Sequence, residues 1–305
     1  MTLPLIIISG PTCSGKSSIA IEIAKMTKGE IINADSMQVY SELKILTDRP
    51  LINNQKKIKH HLYGHISAKK RYNVAQWCQE AKNIISENNK KKKQSILVGG
   101  TGMYIESLIK GISNIPSIDE IYKKESENIL NKIGFKKFYY NVLKIDKKSC
   151  LKINTNDVQR LKRIWEVYKA TGRTLSEWQN ESHKLFLKNI SYQIFLFLPD
   201  RKKIYEKINN RFSTMIKSGG LNEVKKLLDL NLDKSLPAMK AHGVKEIGKF
   251  LNNEITLDEC IKKSQQITRN YAKRQISWWN SSKLENISIF SDFPKNIDLK
   301  ALKLA

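Results

Sequence analysis

A glycine-rich segment near the start of the chain, Gly10-Pro11-Thr12-Cys13-Ser14-Gly15-Lys16-Ser17, has the residue types and spacing of a phosphate-binding loop. It fits G-x-x-x-x-G-K-[ST], in which backbone N–H groups and the positive end of the following helix converge on phosphate oxygens. Lys16 would add a positive charge, and Ser17 would offer its hydroxyl to Mg²⁺. Residues 3–9 predict a buried strand before the loop, and residues 18–28 predict a helix after it. We therefore predict a diphosphate or triphosphate site; the alternative is a glycine-rich turn that binds nothing.

Two further polar positions follow predicted strands. Nucleoside-triphosphate hydrolases place a Mg²⁺-binding acid after a second apolar strand, but the strand predicted at 94–98 ends in Gly99-Gly100-Thr101-Gly102. Asp35, after the strand predicted at 30–34, is therefore the nearest candidate acid. Its carboxylate could hold metal-bound water or take a proton from a nucleophile; the alternative is a capping role for the next segment. Because ligands gather at the carboxyl ends of parallel strands, we expect the loop, Asp35 and Thr101 to share one crevice.

The order of strand and helix patterns predicts an α/β fold with an inserted helical domain. The first hundred residues alternate between the two patterns, with further helices predicted at 73–88 and 104–110, which favours a parallel sheet flanked by helices. The pattern then becomes helical and basic, a strand returns at 191–198, and helices follow to about residue 280. We predict a sheet domain of residues 1–115 and 190–305 and a helical domain of residues 116–189. The segment after residue 281 allows no prediction.

The net charge of +25, from 54 Lys+Arg against 29 Asp+Glu, indicates a polyanionic partner. Codon bias toward lysine explains part of this excess, since Lys, Asn and Ile are all abundant. It does not explain arginines that lie beside aromatic residues in predicted helices, namely Arg160, Arg163, Arg269 and Arg274. Nucleic acid is the leading partner on these grounds, and an acidic membrane surface is the weaker alternative.

Two basic helices carry these arginines. Asp157 is a candidate N-cap for the first, in which Arg160 and Arg163 share a face while Leu161, Ile164 and Val167 face a core. The second, at 267–280, alternates Arg269, Lys273 and Arg274 with Tyr271, Trp278 and Trp279. Basic residues beside aromatics suit RNA, whose phosphates pair with cations and whose bases stack on rings. The alternatives are a solvated basic face for the first helix and core tryptophans for the second.

Cysteine, histidine and hydropathy patterns exclude other classes of protein. Four scattered cysteines, Cys13, Cys78, Cys150 and Cys260, lack the spacing of a zinc site or a disulfide framework and suit a reducing cytoplasm. For His60, His61 and His65 we favour packing or a loop role over metal binding. No apolar run reaches the length of a membrane span. We therefore expect a cytoplasmic protein with no membrane association, and we expect a monomer.

Taken together, the motifs resemble one family, the bacterial tRNA dimethylallyltransferases, also called tRNA isopentenyltransferases. The resemblance extends in order over nearly the whole chain. Its motifs are GPTCSGKSS, INADSMQVY, HHLYG, YNVAQW, ILVGGTGMYIESLIKG, NDVQRLKRIWEV, RFSTMIKSGGLNEV, LPAMKAHGVKEI and RNYAKRQISWW. Many enzymes share a phosphate loop, but the combination with DSMQVY, GGTGMY and AKRQISWW is far more specific.

The resemblance implies a P-loop NTPase-like fold and a definite reaction. A dimethylallyl group would move from dimethylallyl diphosphate to N6 of the adenosine 3′ of the anticodon, in tRNAs that read codons starting with U. Diphosphate would leave, held by Mg²⁺ and by the loop. An allylic carbon ionises readily, so such a site needs to neutralise the leaving group more than it needs a strong nucleophile. The loop is of the type that binds ATP, but the resemblance implies that it binds a prenyl diphosphate instead.

The resemblance also implies roles for particular residues. In the donor loop, Gly10 to Ser17, Thr12 to Ser17 would contact the diphosphate, with Lys16 neutralising its charge and Ser17 on the metal. Asp35 would be the general base, and Arg211 would hold the diphosphate, with Arg201 as the alternative. Contacts to the anticodon stem-loop of tRNA would come from Asp35, Ser36, Met37, Gln38, Thr101, Lys123, Gln159, Arg160, Leu161, Lys162, Arg163, Arg269, Lys273 and Arg274. Thr101 would touch the target nucleotide and is counted with the catalytic residues.

This chain departs from the family pattern at three places. Cys13 stands where alanine is expected, Val158 replaces a proline in the first turn of a helix, and ILTDRP at 45–50 matches IGTAKP only in part. The last departure leaves the local loop geometry open. Two other functions stay as alternatives: a kinase that uses ATP in the same loop, and a non-catalytic RNA-binding protein.

Overall fold

The computed structural model describes residues 3–50, 58–154, 156–188 and 190–296. Contacts within the chain divide it into two compact units. One comprises Met1–Ile109 with Phe186–Ala305, and the other, an insertion, comprises Lys110–Leu185. The sequence-based boundaries at 116 and 189 lie a few residues farther along the chain, and residue 189 itself is outside the described residues. We call these the sheet unit and the helical unit.

The sheet unit is built on a parallel sheet, as the alternating patterns predict. Its strands are β1 (Leu5–Ser9), β2 (Glu30–Asn33), β3 (His60–His61), β4 (Ser95–Gly99), β5 (Tyr192–Phe197) and β6 (Ile287–Phe290). Their order is β3-β2-β4-β1-β5-β6, and every neighbouring pair is parallel. Ile7 of β1 lies opposite Leu97 of β4 and Ile194 of β5. Strands covered on both faces need such continuous apolar runs, which is why the central strands are recognisable in the sequence.

The helices follow the strands in the expected alternation and then dominate the rest of the chain. In chain order they are α1 (Lys16–Thr27), α2 (Val74–Lys90), α3 (Gly102–Lys110), α4 (Glu120–Ile145), α5 (Lys147–Cys150), α6 (Val158–Thr171), α7 (Leu175–Asn180), α8 (Arg201–Met215), α9 (Leu221–Leu228), α10 (Val244–Leu251) and α11 (Leu257–Ser281). A π-helical turn, Ile216–Gly220, joins α8 to α9. Among these helices, none has the length and apolar character that a membrane crossing needs.

The hydrophobic core of the sheet unit lies between the central strands and α1. Ile6 and Ile8 of β1 pack with Ile19 and Ile23 of α1, all of them buried. Burying an isoleucine side chain stabilises a fold by about 1.5–3 kcal/mol, so these contacts hold the start of α1 firmly against the sheet. The glycine-rich loop between β1 and α1 is thereby anchored at both ends.

The helical unit has its own core. Phe138 and Val142 of α4 pack against Leu161, Ile164 and Trp165 of α6. The prediction that Leu161, Ile164 and Val167 face a core is confirmed, since all three are buried. The predicted N-cap is also confirmed: the Asp157 carboxylate accepts a hydrogen bond from the Arg160 N–H at 3.1 Å. The helix begins at Val158 without the proline of the family pattern.

Candidate active site

The glycine-rich loop has the sharply turned backbone that its glycines predict. Gly10 has a φ of 145° and Gly15 a φ of 88°, both in the region that side chains rarely adopt. A Cβ on Gly10 would lie 2.3 Å from the carbonyl oxygen of Phe197. Cys13, at φ 64°, takes a left-handed conformation with a side chain in place. The loop leads directly into α1 at Lys16, so its N–H groups lie at the positive end of that helix.

Lys16 lies enclosed above this loop. Its Nζ donates to the carbonyl oxygen of Pro11 at 2.6 Å and to Ser14 Oγ at 3.4 Å. Burial lowers the pKa of Lys16 to about 8, and the positive charge of Arg211 acts in the same direction, while the Asp35 carboxylate opposes it. An enclosed ammonium group with so lowered a pKa is a site where an added anion is strongly stabilised.

Arg211 of α8 reaches the same loop, and Arg201 does not line its cavity. The Arg211 guanidinium donates to Thr12 Oγ1 at 2.8 Å and to Asp48 Oδ2 at 3.1 Å. Arg201, at the start of the same helix, places its guanidinium over the Tyr205 ring, 5.9 Å from the centroid. Of the two arginines left open by the sequence, the structure brings Arg211 to the phosphate loop.

A cavity of about 330 Å³ opens over the loop. Its walls include Lys16, Ser17, Asp35 and Arg211, so the loop and Asp35 share the expected crevice, but Thr101 does not line it. The walls also include Lys207 and Gln275, which sequence reasoning missed. Lys207 lies four residues before Arg211 on α8, and this spacing places both cations on one helix face; that signal was available in the sequence.

Asp35 caps the turn that follows it and also lines the cavity. Its Oδ1 accepts hydrogen bonds from the N–H groups of Met37 at 2.8 Å and Gln38 at 3.3 Å, so it does cap the following turn. The cap occupies only one carboxylate oxygen. The carboxylate also lines the cavity above the phosphate loop, and its charge helps to raise the pKa of Tyr63 and of Tyr271 after the larger effect of burial.

A second cavity, of about 130 Å³, adjoins the first. The two share walls formed by Thr12, Asp35, Thr47 and Arg211. Apolar and aromatic residues form one part of the second cavity, namely Leu46, Ile208, Phe212, Met215 and Tyr271, and Ser36, Lys240 and Thr268 form polar parts of its wall. His242 also lines it, packs against the Tyr271 ring at 4.7 Å and has a pKa lowered chiefly by burial, which keeps its imidazole neutral. A charged chamber and a smaller chamber with an apolar wall, called the apolar chamber below, therefore meet at Asp35.

The loop at 44–48, whose geometry the sequence left open, is held by a carboxylate. Glu223 of α9 accepts hydrogen bonds from three successive N–H groups, those of Lys44, Ile45 and Leu46, at 2.7–2.9 Å. Gln38 Nε2 donates to the Thr47 carbonyl at 2.8 Å. These bonds keep the loop ordered although it departs from the family pattern, and they present Thr47 and Asp48 to the first cavity.

The residues predicted around the target nucleotide come together at the strand ends. Thr101 Oγ1 accepts a hydrogen bond from the Ser36 N–H at 3.2 Å, and the Thr101 N–H donates to the Ala34 carbonyl at 3.2 Å. Ser36 and Met37 line the second cavity, and Gln38 lines the first. The ends of β2 and β4 are thus joined directly beside Asp35.

The basic face of α11 is exposed, and its two tryptophans differ. Lys273 and Arg274 are exposed, and Arg269 is half-buried, donating to Asn209 Oδ1 at 2.6 Å. Trp279 is buried, as the core alternative expects. Trp278 is only partly buried and lies against Gly102, where a Cβ would come within 2.2 Å of its ring.

The helical unit exposes only part of its predicted RNA-contacting set. Gln159 and Arg160 are exposed at the start of α6, and Arg163 is half-buried. Leu161 lies in the core, and Lys162 is buried in an ion pair with Glu127. Lys123 pairs with Glu120 at 2.8 Å. The predicted contact to RNA through α6 therefore rests on Gln159, Arg160 and the accessible part of Arg163.

Comparison with known families and proteins finds relatives that match most of this chain. The model of the IPP transferase family matches residues 38–282, a span that begins just after Asp35. A tRNA dimethylallyltransferase of Hyphomonas neptunium is 40% identical over 275 residues, covering 90% of this chain and 87% of the relative. One of Pelagibacter ubique is 44% identical over 274 residues, covering 90% and 87%. These matches extend over most of the chain.

Two solved structures are also similar over nearly the whole chain. The tRNA isopentenylpyrophosphate transferase of Bacillus halodurans is 30% identical with a TM-score of 0.69, covering 98% of this chain and 92% of that chain. A eukaryotic dimethylallyltransferase, solved in crystallographic snapshots of its action on tRNA, is 26% identical with a TM-score of 0.82, covering 100% and 78%.

Proposed function

The chain belongs to the IPP transferase family, and from that membership we propose that it transfers a dimethylallyl group from dimethylallyl diphosphate to tRNA. The acceptor would be N6 of the adenosine 3′ of the anticodon, in tRNAs that read codons starting with U. The observation that carries the proposal is the position of Asp35, whose carboxylate lines both the charged chamber and the apolar chamber. A carbon that leaves the diphosphate and bonds to the acceptor adenine would pass the Asp35 carboxylate.

The charged chamber suits the diphosphate of the donor. Lys16 and Arg211 would neutralise the leaving group together with the loop N–H groups, and Lys207 would add a third positive charge. The first step loosens the bond between the allylic carbon and its oxygen, and the electron pair leaves with the diphosphate. In the structure Arg211 pairs with Asp48, and we propose that the diphosphate takes the place of this carboxylate when the donor binds.

Mg²⁺ would assist at the same chamber. Ser17 and the carboxylates of Asp35 and Asp48 line it, and hydroxyl and carboxylate oxygens are the ligands that Mg²⁺ prefers. Mg²⁺ commonly binds through one or two protein oxygens together with substrate phosphates. We propose that Ser17 holds the ion, whose charge would further stabilise the leaving diphosphate.

The apolar chamber suits the dimethylallyl group and excludes water from it. Its wall of Ile208, Phe212 and Met215 would cover the hydrocarbon part of the donor and keep water from that side of the ionising carbon. As the carbon–nitrogen bond forms, N6 becomes positively charged and must lose a proton. Asp35 would accept this proton on the carboxylate oxygen that does not cap the turn at Met37.

The acceptor RNA would reach Asp35 past Thr101 and the basic face of α11. Bases of an anticodon loop are already partly unpaired, so extruding one adenine costs less free energy than it would in a duplex. Ser36, Met37, Gln38 and Thr101 would contact the extruded nucleotide, and Arg269, Lys273 and Arg274 would pair with phosphates. In the helical unit we propose contacts from Lys123, Gln159, Arg160 and Arg163. We propose that the protein acts as a monomer in the cytoplasm.

A transfer assay tests the proposal. The protein is incubated with dimethylallyl diphosphate, Mg²⁺ and an unmodified tRNA that has adenosine 3′ of its anticodon, and digested RNA is analysed by mass spectrometry. We expect a nucleoside heavier than adenosine by one dimethylallyl group in place of one hydrogen. Donor consumption without this nucleoside would contradict the proposal. Phosphoryl transfer from ATP would indicate the kinase alternative, and tRNA binding without any product would indicate the RNA-binding alternative.

A further inference from the structure

Gln275 of α11 lies between the two loops that the proposed reaction uses. Its Oε1 accepts a hydrogen bond from the Thr12 N–H in the phosphate loop at 2.8 Å. Its Nε2 donates to the Gly100 carbonyl at the end of β4, also at 2.8 Å. Because an amide has one end that accepts and one that donates, only this orientation satisfies both partners. Gln275 is 6% exposed, so water does not compete for either bond.

The neighbouring backbone is shaped to admit this side chain. A Cβ on Gly100 would lie 2.2 Å from Gln275 Nε2 and 3.1 Å from the Gly10 carbonyl oxygen. Glycine at position 100 therefore allows the amide to approach β4 and the phosphate loop together. The Tyr271 hydroxyl, one turn earlier on α11, interacts with both Gln275 and Thr101. The inner face of α11 is thus bonded both to the phosphate loop and to the segment that follows β4.

The phosphate loop needs such an anchor. Gly10, Cys13 and Gly15 all have positive φ values, and a backbone of this kind keeps one conformation only when its surroundings hold it. The Thr12 N–H is the group that Gln275 fixes, and Thr12 Oγ1 is the group that Arg211 contacts. Thr12 is therefore held by α11 through its backbone and by α8 through its side chain.

We propose that Gln275 is a positioning residue, which holds the phosphate loop in its diphosphate-binding conformation and at a fixed distance from Thr101. The inference deepens the proposed function and rests on it for the identity of the ligand. Gln275 directly follows Lys273 and Arg274, the exposed cations of α11. One rigid helix therefore presents positive charge outward and the amide inward, so that the donor loop and the RNA-facing surface share a single support.

Binding of inorganic diphosphate with Mg²⁺, measured by isothermal titration calorimetry, tests the inference without requiring transfer. We expect Gln275→Leu, which keeps the size of the side chain but leaves the Thr12 N–H without its acceptor, to weaken binding about ten- to hundredfold. Gln265→Leu is the matched control. Gln265 lies on the same helix and donates to the Asn209 carbonyl at 3.1 Å, but it lines neither cavity, so we expect a wild-type dissociation constant.

Three readouts separate positioning from a general loss of structure. Partial unfolding would lower the stoichiometry of binding, whereas positioning changes the dissociation constant at full stoichiometry. In the transfer assay we expect KM for the donor to rise and KM for tRNA to stay within about twofold, since the exposed cations are unchanged. Gly100→Ala, which displaces the amide and crowds the Gly10 carbonyl, should also weaken diphosphate binding.

Gln275→Asn supports the test if the leucine variant does not fold. Its amide is one methylene shorter and cannot span both loops, so we expect a smaller loss of diphosphate affinity than for leucine. A folded Gln275 variant with wild-type affinity would overturn the inference. If wild-type protein makes no prenylated nucleoside while Gln275→Leu weakens diphosphate binding, the proposed function fails and the role of Gln275 stands. If transfer occurs and diphosphate affinity is unchanged, only the role of Gln275 fails.

Discussion

The positive charges at the phosphate loop of the sheet unit and the charge of Arg160 in the helical unit are held in opposite ways. Lys16 is enclosed and hydrogen-bonded to its own loop, and the Arg211 side chain is 25% exposed and bonded to Thr12. Arg160 in the helical unit has a side chain that is 69% exposed, and its ion pair with Asp157 measures 3.4 Å. Enclosed charges act strongly on a ligand, because little water screens them, whereas exposed charges contribute little singly.

This difference teaches how to interpret the net charge of +25. The sum alone indicates a polyanionic partner but does not say which charges matter. The structure separates a few enclosed cations, at the phosphate loop, from many exposed ones. The first group should control the rate of reaction, and the second should control the affinity for RNA and its dependence on salt.

We expect Asp35→Asn to lower kcat about 10²–10⁴-fold, the usual range for the loss of a general base. Asparagine keeps an oxygen that can accept the Met37 N–H, so the turn stays capped while the base is lost. Single-turnover assays with saturating tRNA measure the effect. Asp200→Asn is a matched control, because Asp200 Oδ1 likewise accepts two successive N–H groups, of Lys202 and Lys203, away from both cavities. Equal rates for the two variants would remove Asp35 from the mechanism.

Arg211→Ala should reduce kcat about 10²–10³-fold, since removing one group that stabilises transition-state charge typically costs this much. Arg201→Ala is the control on the same helix, and we expect it to stay within about twofold of wild type because its guanidinium lies over Tyr205. Steady-state assays with both variants measure the difference. The opposite ranking would mean that Arg201, and not Arg211, holds the diphosphate.

Lys16 should make diphosphate binding depend on pH. Its pKa is about 8 in the free protein, and a bound anion would raise it, so binding is accompanied by proton uptake above pH 8. Affinity should therefore be constant below pH 8 and fall about tenfold per pH unit above it. Calorimetry between pH 7 and 9.5 measures this decline. Lys16→Arg is the control, because its charge persists over this pH range. Titration of the diphosphate itself affects both proteins equally, so it cancels in the ratio of wild-type affinity to Lys16→Arg affinity. A ratio that does not change with pH would contradict the prediction.

Much of the sheet unit could be predicted from the sequence because its signals are local. The isoleucine run of β1, the glycines of the loop and the start of α1 are adjacent in the chain, and the structure agrees with all of them. Strand β3 was not predicted, because His60-His61 has no apolar pattern, and β6 lies in a segment that gave no signal. Both are edge strands, and they form because they pair with a neighbouring strand and not because their own residues strongly favour β-structure.

Contacts between distant segments account for what the sequence could not show. Gln275 lies in a motif that was recognised, but its bond to Thr12 joins residues 263 positions apart. Phe293 lies in the unpredicted tail, yet the Lys207 ammonium rests 3.5 Å from its ring centroid beside the phosphate loop. In α6 a prediction was wrong: Lys162 was predicted to contact RNA as part of a basic run, but packing buries it against Glu127. Composition does not reveal which face of a helix is covered.

The smallest expected effect belongs to the exposed charges of the helical unit. Arg160→Gln should leave kcat at saturating tRNA unchanged and reduce the slope of log affinity against log salt by about 0.7–0.9, the value for one phosphate contact. Filter binding of tRNA over a range of salt concentrations measures this slope. Lys162→Met is the contrasting variant: we expect it to change the stability of the helical unit and to leave the slope as it is, because this ammonium is buried. A tenfold fall of kcat in Arg160→Gln would contradict the division between the two units, since it would place an exposed charge of α6 in the chemical step.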